Sequence, residues 1–381
     1  MRALIAVSLL SSACTSLLGI SDPTPATGDG GPDSSIDSNI DAPPPCTTPV
    51  SLKAEVSFDT GVTGTGFAIG RFDNGVNEDI AIATGTNVVI FHGDRTGAFG
   101  GDGSQTVIPT AAADLVVDDF DSDADDDLAM WTATAVVVRR LNRALDPPVE
   151  AEQPLTGPFT NVTRVINEQL DGNLRADLFV YDAAAGSRVY TSNIGIPGTF
   201  GRDANLVGTG ADELILTRQI DNAQRADALF VNGATVKLSL QTNAFGTLGN
   251  VAFDAASKGI AVGKFDGDNF LDLVVSTSMG LVLYRQNAAQ PGTFTMHGMI
   301  SPVQSAAPML VGDLNGDGLD DIVVANAVIL QCAPPAAGGP GVFTQVEQLS
   351  AAPPSKLVDV TGDGKRDLVR LEGTSLKVRV Q

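Results

Sequence analysis

The sequence predicts an all-β fold in which one small sheet is repeated around a ring, and three observations carry that reading. A unit of apolar run, Asp-rich turn and second apolar run opened by Asp recurs seven times along the 381 residues. The runs are short and rich in Val, Ile and Leu, without helical spacing. The last unit stops two strands after its closing Asp, while a strand-like piece with no unit of its own stands before the first.

Taken in order, the units read FAIGRFDNGVNEDIAIA, LVVDDFDSDADDDLAMW, RVINEQLDGNLRADLFVY, ILTRQIDNAQRADALFV, IAVGKFDGDNFLDLVVS, MLVGDLNGDGLDDIVVA and KLVDVTGDGKRDLVRL. Their closing aspartates are Asp79, Asp127, Asp177, Asp227, Asp272, Asp321 and Asp367, spaced 45 to 50 residues apart. The part after Cys46 is too long for one compact core of ordinary size, so the repetition sets the architecture. Runs such as DLVVS at 272–276 and DIVVA at 321–325 are bounded by Gly, Asn and Asp, and are apolar without clean alternation. Strands of that kind are covered on both faces, as happens when each sheet lies between two neighbours. Four short strands with their turns fill one period, and the fold built from such units is a seven-bladed β-propeller of four-stranded antiparallel blades. The final blade has room only for strands in Asp367–Gly373 and Ser375–Gln381. The piece SLKAEVSF, Ser51–Phe58, is expected to join it, so that N- and C-terminal strands share one blade and no edge stays open.

The turns carry the chemistry. In GDLNGDGLDDI, oxygen-bearing side chains fall at positions 1, 3, 5 and 9 as Asp313, Asn315, Asp317 and Asp321, with the Leu319 carbonyl at position 7. Calcium takes six to eight hard oxygen ligands at ~2.3–2.6 Å, and Gly316 and Gly318 permit the tight loop this requires. Asp119, Asp121, Asp123 and Asp127, with the Asp125 carbonyl, form a second such set. Asp359, Thr361, Asp363 and Asp367, with the Lys365 carbonyl, form a third. About three calcium sites are therefore expected. The helix-flanked calcium loop that begins in the same way needs Glu at position 12, where this chain has Val324, Met130 and Arg370, so it is excluded.

The other loops are weaker. The fifth unit keeps Asp266, Asp268 and Asp272 but has Lys264 at position 1, whose ammonium is expected to compete for the place of an ion. Arg71, Gln169 and Gln219 at position 1, and Gly75, Asn173 and Ala223 at position 5, leave the first, third and fourth turns to hold themselves by hydrogen bonds. An Asx-rich turn bonding only its own amides is the alternative for every loop. Repulsion among three or four carboxylates within ~4–5 Å amounts to several kcal/mol and favours a cation.

These repeats resemble the FG-GAP/VCBS family, units that also form the propeller of integrin α subunits, and the resemblance covers nearly all of Cys46–Gln381. Asp313–Asp321 matches the family motif D-x-[DN]-x-D-G-x-x-D in full, whereas Asp119–Asp127 departs from it at Ala124 and Asp359–Asp367 at Thr361. The resemblance implies a seven-bladed propeller with calcium at the loops joining first and second strands. It implies little about task, because such units occur in adhesins, in receptors and beside enzymes.

The N-terminus adds a location. MRALIAVSLLSSAC has a cation at Arg2, an apolar stretch Ala3–Leu10 and small residues before Cys14, the layout of a signal peptide over residues 1–14. Small residues followed by Cys resemble the lipobox of bacterial lipoproteins, which implies acylation of Cys14. Thr15 after it fits outer-membrane or cell-surface sorting, with periplasmic release or secretion as the alternative. Residues 15–46 are mostly Asp, Pro, Gly, Ser, Thr and Ala and form a solvated tether, ahead of a propeller spanning 47–381. Cys46 and Cys332 remain as an even pair that can form a disulfide outside the cytosol.

Asp+Glu 45 against Lys+Arg 23 gives a net charge of −22, which repels nucleic acid and anionic membranes. Membrane contact is expected only through the lipid anchor. Catalytic candidates are few: His92 and His297 are the two histidines, neither stands in a nucleophile or zinc signature, and both read as surface or turn residues. Trp131 reads as packing. The expected function is a non-catalytic binding or scaffolding module for a protein or a cell-envelope polymer. A polysaccharide hydrolase or lyase using carboxylates in the central funnel is the alternative.

Overall fold

The computed structural model describes residues 53–380 except 76, 95, 97, 100–104, 146–148, 174, 194, 204–206, 219, 221–225, 234, 241–248, 252–258, 267, 269, 305–308, 325–326, 333–340 and 349–354. The expected signal peptide, Cys14, the whole tether 15–46 and Cys46 lie outside the described residues.

Among the described residues every regular element is a strand, and the strands form seven four-stranded sheets. Six blades run in chain order over 66–108, 114–154, 162–202, 213–251, 259–301 and 310–348. The seventh consists of Ser355–Val358, Asp367–Glu372, Ser375–Arg379 and, as its outer strand, Val56–Asp59. Val56 faces Val378 and Asp59 faces Ser375 in an antiparallel register, and the Lys53 amide donates to the Val380 carbonyl at 2.9 Å. The closing strand thus joins the last blade as the sequence expects, over Val56–Asp59 at the end of the expected piece Ser51–Phe58.

The core explains why the strands lack alternation. Among the described residues it divides into seven clusters, each spanning two consecutive blades. In the second strand of blade 1, Asp79–Ala83, Ile80 and Ile82 pack towards blade 7 while Ala81 and Ala83 pack towards blade 2. Both faces of the pleat are therefore dry, and both must be apolar. The cluster joining Phe67, Ile80 and Ile82 to Val369, Leu371 and Val378 closes the ring between the last blade and the first. Trp131 belongs to the cluster between blades 2 and 3, as a packing residue.

Each second strand opens on its closing aspartate. All seven are buried, and in each blade the Oδ2 atom accepts a backbone N–H from seven residues earlier, such as Phe72 for Asp79 and Leu314 for Asp321. In five blades Oδ1 accepts a second amide, from the end of the third strand: Gly93, Leu141, Ser192, Gln286 or Gln331. One carboxylate thus clips the acidic turn to two strands of its own sheet.

Candidate functional site: the acidic loops

The loops between first and second strands lie where the sequence puts them, and three share one conformation. Asp313 Oδ1 accepts the amides of Gly316 and Asp317 at 2.7 and 3.2 Å, and its Oδ2 accepts Gly318 at 2.8 Å. Asp359 repeats this with Gly362, Asp363 and Gly364, and Asp119 with Ser122, Asp123 and Ala124. The turn needs positive φ at two places, met by Gly316 and Gly318 in blade 6 and by Gly362 and Gly364 in blade 7. In blade 2 the same places hold Ser122 at 67° and Ala124 at 70°, left-handed angles that cost an L-residue about 1–2 kcal/mol. The loop keeps its shape despite the wrong residues.

The donors converge to different degrees. Carboxylate oxygens of Asp119, Asp121 and Asp127 lie within 4.8 Å of one another. In blade 7 the Thr361 hydroxyl bridges Asp359 and Asp367 at 3.4 and 3.5 Å. In blade 6 the Asn315 amide donates to Asp317 at 2.9 Å, and Asp317 accepts the Leu319 amide. Asp123 and Asp363 likewise accept the amides of Asp125 and Lys365, so position 5 serves the turn in all three loops. The Asp125 side chain pairs with Arg143, while the Arg143 Nη2 donates to the Ala124 carbonyl.

Crowding of acids in buried places shows in their protonation. Burial pushes the Asp127 carboxyl up to about 8, and the charges of Asp121 and Asp123 push the same way against the amides of Leu141 and Phe120. Burial likewise raises Asp321 to about 7, aided by Asp317 and Asp313.

One position decides which loops already have a nitrogen-bearing side chain against their acids. The residue preceding the third-strand amide that binds the closing aspartate points back at the loop, and it is His92, Arg140 or Arg285 in blades 1, 2 and 5. Arg285 pairs with Asp266 at 2.5 Å, Arg140 lies 3.5 Å from Asp121, and His92 Nδ1 lies 3.2 Å from Asp73 and 3.5 Å from Asp79. The equivalent residues in blades 6 and 7 are the buried Leu330 and Val380. Two sequence expectations change here. The cation against the fifth loop is Arg285, while Lys264 is exposed and offers its backbone amide to Asp320 of the next blade. His92 is half-buried against the first loop, whereas His297 is exposed on an outer strand, as expected. The third loop does hold itself by hydrogen bonds, with the Asn173 amide between Asp171 and Ser192.

A cleft of about 630 Å³ opens beside the seventh loop at the ring closure, lined among others by Asn77, Glu78, Asp359, Thr361, Lys365 and Arg366. Burial raises the Glu78 carboxyl, and Asp126, Asp79 and Asp359 reinforce the rise against Arg71.

The FG-GAP-like repeat family matches residues 264–324, from the loop of blade 5 through the second strand of blade 6. That stretch is similar to an FG-GAP-like repeat. No curated protein matches the chain significantly. Among solved structures, one described as specific recognition of non-reducing terminal N-acetylglucosamine by an Agrocybe aegerita lectin is 14% identical, with a TM-score of 0.54 over 77% of this chain and 80% of that one. The crystal structure of BBS1N in complex with ARL6DN, soaked with lead, is 10% identical with a TM-score of 0.54, covering 85% and 94% respectively. At such identities the likeness shows the fold alone, a propeller.

Proposed function

We propose that this FG-GAP-like propeller is a non-catalytic binding or scaffolding module, exported and tethered at the cell surface, whose ring is held by calcium at the loops of blades 2, 6 and 7. The observation that carries the metal reading is the contrast between blades. Where blade 5 sets the Arg285 guanidinium against its loop acid, blades 6 and 7 have Leu330 and Val380, so those acids need a positive charge from solution.

The donor chemistry fits a hard cation. Asp313, Asn315, Asp317, Asp321 and the Leu319 carbonyl would hold one ion. Asp359, Thr361, Asp363, Asp367 and the Lys365 carbonyl would hold a second. Asp119, Asp121, Asp123, Asp127 and the Asp125 carbonyl would hold a third, weakened by the nearby Arg140 guanidinium. A site filled at ten times its dissociation constant adds about 1.4 kcal/mol to stability.

Binding rather than catalysis is favoured by the employment of the clustered aspartates in the turns themselves. The solved neighbours are described with a sugar and with another protein chain, which supports a ring used to present a surface. A net charge of −22 favours a cationic partner, a protein or envelope polymer. EGTA should lower the melting temperature by several degrees and calcium should restore it; an unchanged melt removes calcium from the account. Turnover of a polysaccharide by the purified chain would replace the binding reading with the enzymatic one.

A further inference from the structure

We propose that Asp73, Asp79 and His92 form a site for a divalent transition metal of the zinc class, chemically distinct from the all-oxygen loops. The donors sit together: His92 Nδ1 is 3.2 Å from Asp73 Oδ2 and 3.5 Å from Asp79 Oδ2, with all three ligand atoms inside 4.8 Å. Zinc bonds to imidazole nitrogen and carboxylate oxygen are about 2.0–2.2 Å. The edges of a tetrahedron with such bonds are about 3.3–3.5 Å, close to the two separations from His92 to the carboxylates.

His92 Nδ1 is buried and makes no hydrogen bond among the described residues, a condition that a buried ring nitrogen rarely keeps. It is aimed at two carboxylates that are already oriented by backbone amides. Asp73 Oδ1 accepts Gly75 N–H at 2.6 Å, leaving Oδ2 for the cluster. Asp79 is fixed by Gly93 on Oδ1 and by Phe72 on Oδ2. Outer-shell bonds of this kind hold metal ligands in place.

The donor set selects the metal. Position 1 of this loop is Arg71 and position 5 is Gly75, so the six or more oxygens that calcium needs are lacking. Imidazole with two carboxylates suits zinc and its neighbours, and two negative charges with a neutral ring balance a divalent ion. The Asp73 side chain is 38% exposed, which leaves a path to solvent and a fourth position for water.

The test is zinc and cobalt(II) titration of the full chain after EDTA treatment, in the presence of millimolar calcium. The wild type is expected to take up zinc in competition with calcium and to give the ligand-field absorption of four-coordinate cobalt. His92→Ala should weaken this uptake by about tenfold or more, and Asp73→Asn, an exposed position that leaves the backbone clip of Asp79 intact, should do the same. His297→Ala should bind as the wild type does. Equal uptake by wild type and both site variants would mean adventitious binding and overturn the proposal. So would absence of uptake, with the His92 ring found by NMR as an imidazolium paired to Asp73. Loss of calcium stabilisation at the other loops would leave this result untouched.

Discussion

The Arg285 guanidinium lies against the Asp266 carboxylate at 2.5 Å, reaching from the third strand of blade 5 into its acidic loop. Asp266 is 2% exposed, so an unpaired negative charge there would be costly, and removing one partner of a buried pair costs about 3–5 kcal/mol. Arg285→Leu, which copies the residue type found in blade 6, should lower stability in EGTA by about 2–3 kcal/mol because Arg285 is partly solvated. Calcium should then recover part of the loss through Asp266, Asp268 and Asp272. Melting of the variant with and without calcium decides it: a calcium response no larger than that of the wild type contradicts the substitution of ion by guanidinium.

The second loop offers a gain. Ser122 and Ala124 carry the left-handed angles that glycine carries in blades 6 and 7. Ala124→Gly should stabilise by about 1 kcal/mol, a rise of about 2 °C, because the strain exceeds the entropy that glycine adds to the unfolded chain. A lower melting temperature would mean that the loop relaxes in solution.

Blade 4 supplies a pH dependence away from the proposed metal sites. Burial raises the Asp212 carboxyl, but the Lys237 ammonium, the Asn232 amide and the Thr209 donors outweigh it and hold the group well below the usual carboxylate range. A depressed value contributes stability that is present above the unfolded value of about 3.9 and is lost as pH falls through the folded one. Asp212→Asn should therefore cost about 3 kcal/mol at pH 7 and much less at strongly acid pH. Asp177 runs the opposite way: burial raises it to about 6, so its contribution is complete below the unfolded value and fades as pH rises through 6. Denaturant melts of wild type and Asp212→Asn along a pH series test the sign, and a cost that does not shrink in acid refutes it.

Ring closure predicts a fourth outcome. Deleting residues 1–60 removes the strand Val56–Asp59 and exposes the edge of Ser375–Arg379, a template for unwanted pairing. The shortened chain should melt earlier and elute partly as aggregate in size-exclusion chromatography, whereas deletion of residues 1–45, which keeps Cys46, should leave melting and elution unchanged.

Much of this was legible in the sequence because the repeats are local. The spacing of Asp79 through Asp367 located seven second strands, the double-sided apolar runs told that each sheet is buried on both faces, and the missing last strand told where Val56–Asp59 goes. The loop acids were legible for the same reason, being within nine residues of one another. The nitrogen-bearing side chains that face them were not. His92, Arg140 and Arg285 each stand thirteen residues after their closing aspartate, in a strand whose direction of approach is set by sheet register. That common offset was the available signal. The double duty of the closing aspartates as backbone clips was equally hidden, since nothing in a motif tells which amide a carboxylate will accept. Cys332 is disulfide-bonded, while Cys46, its expected partner, lies outside the described residues.

The most direct measurement is anomalous scattering from crystals grown with calcium. Peaks are expected inside the loops at Asp313–Asp321 and Asp359–Asp367, with a weaker one at Asp119–Asp127 and none at Asp266–Asp272, where Arg285 stands. A loop of blade 6 or 7 without a peak, or a full peak in blade 5 beside an unmoved Arg285, would contradict the division between loops that import a cation and loops that carry their own.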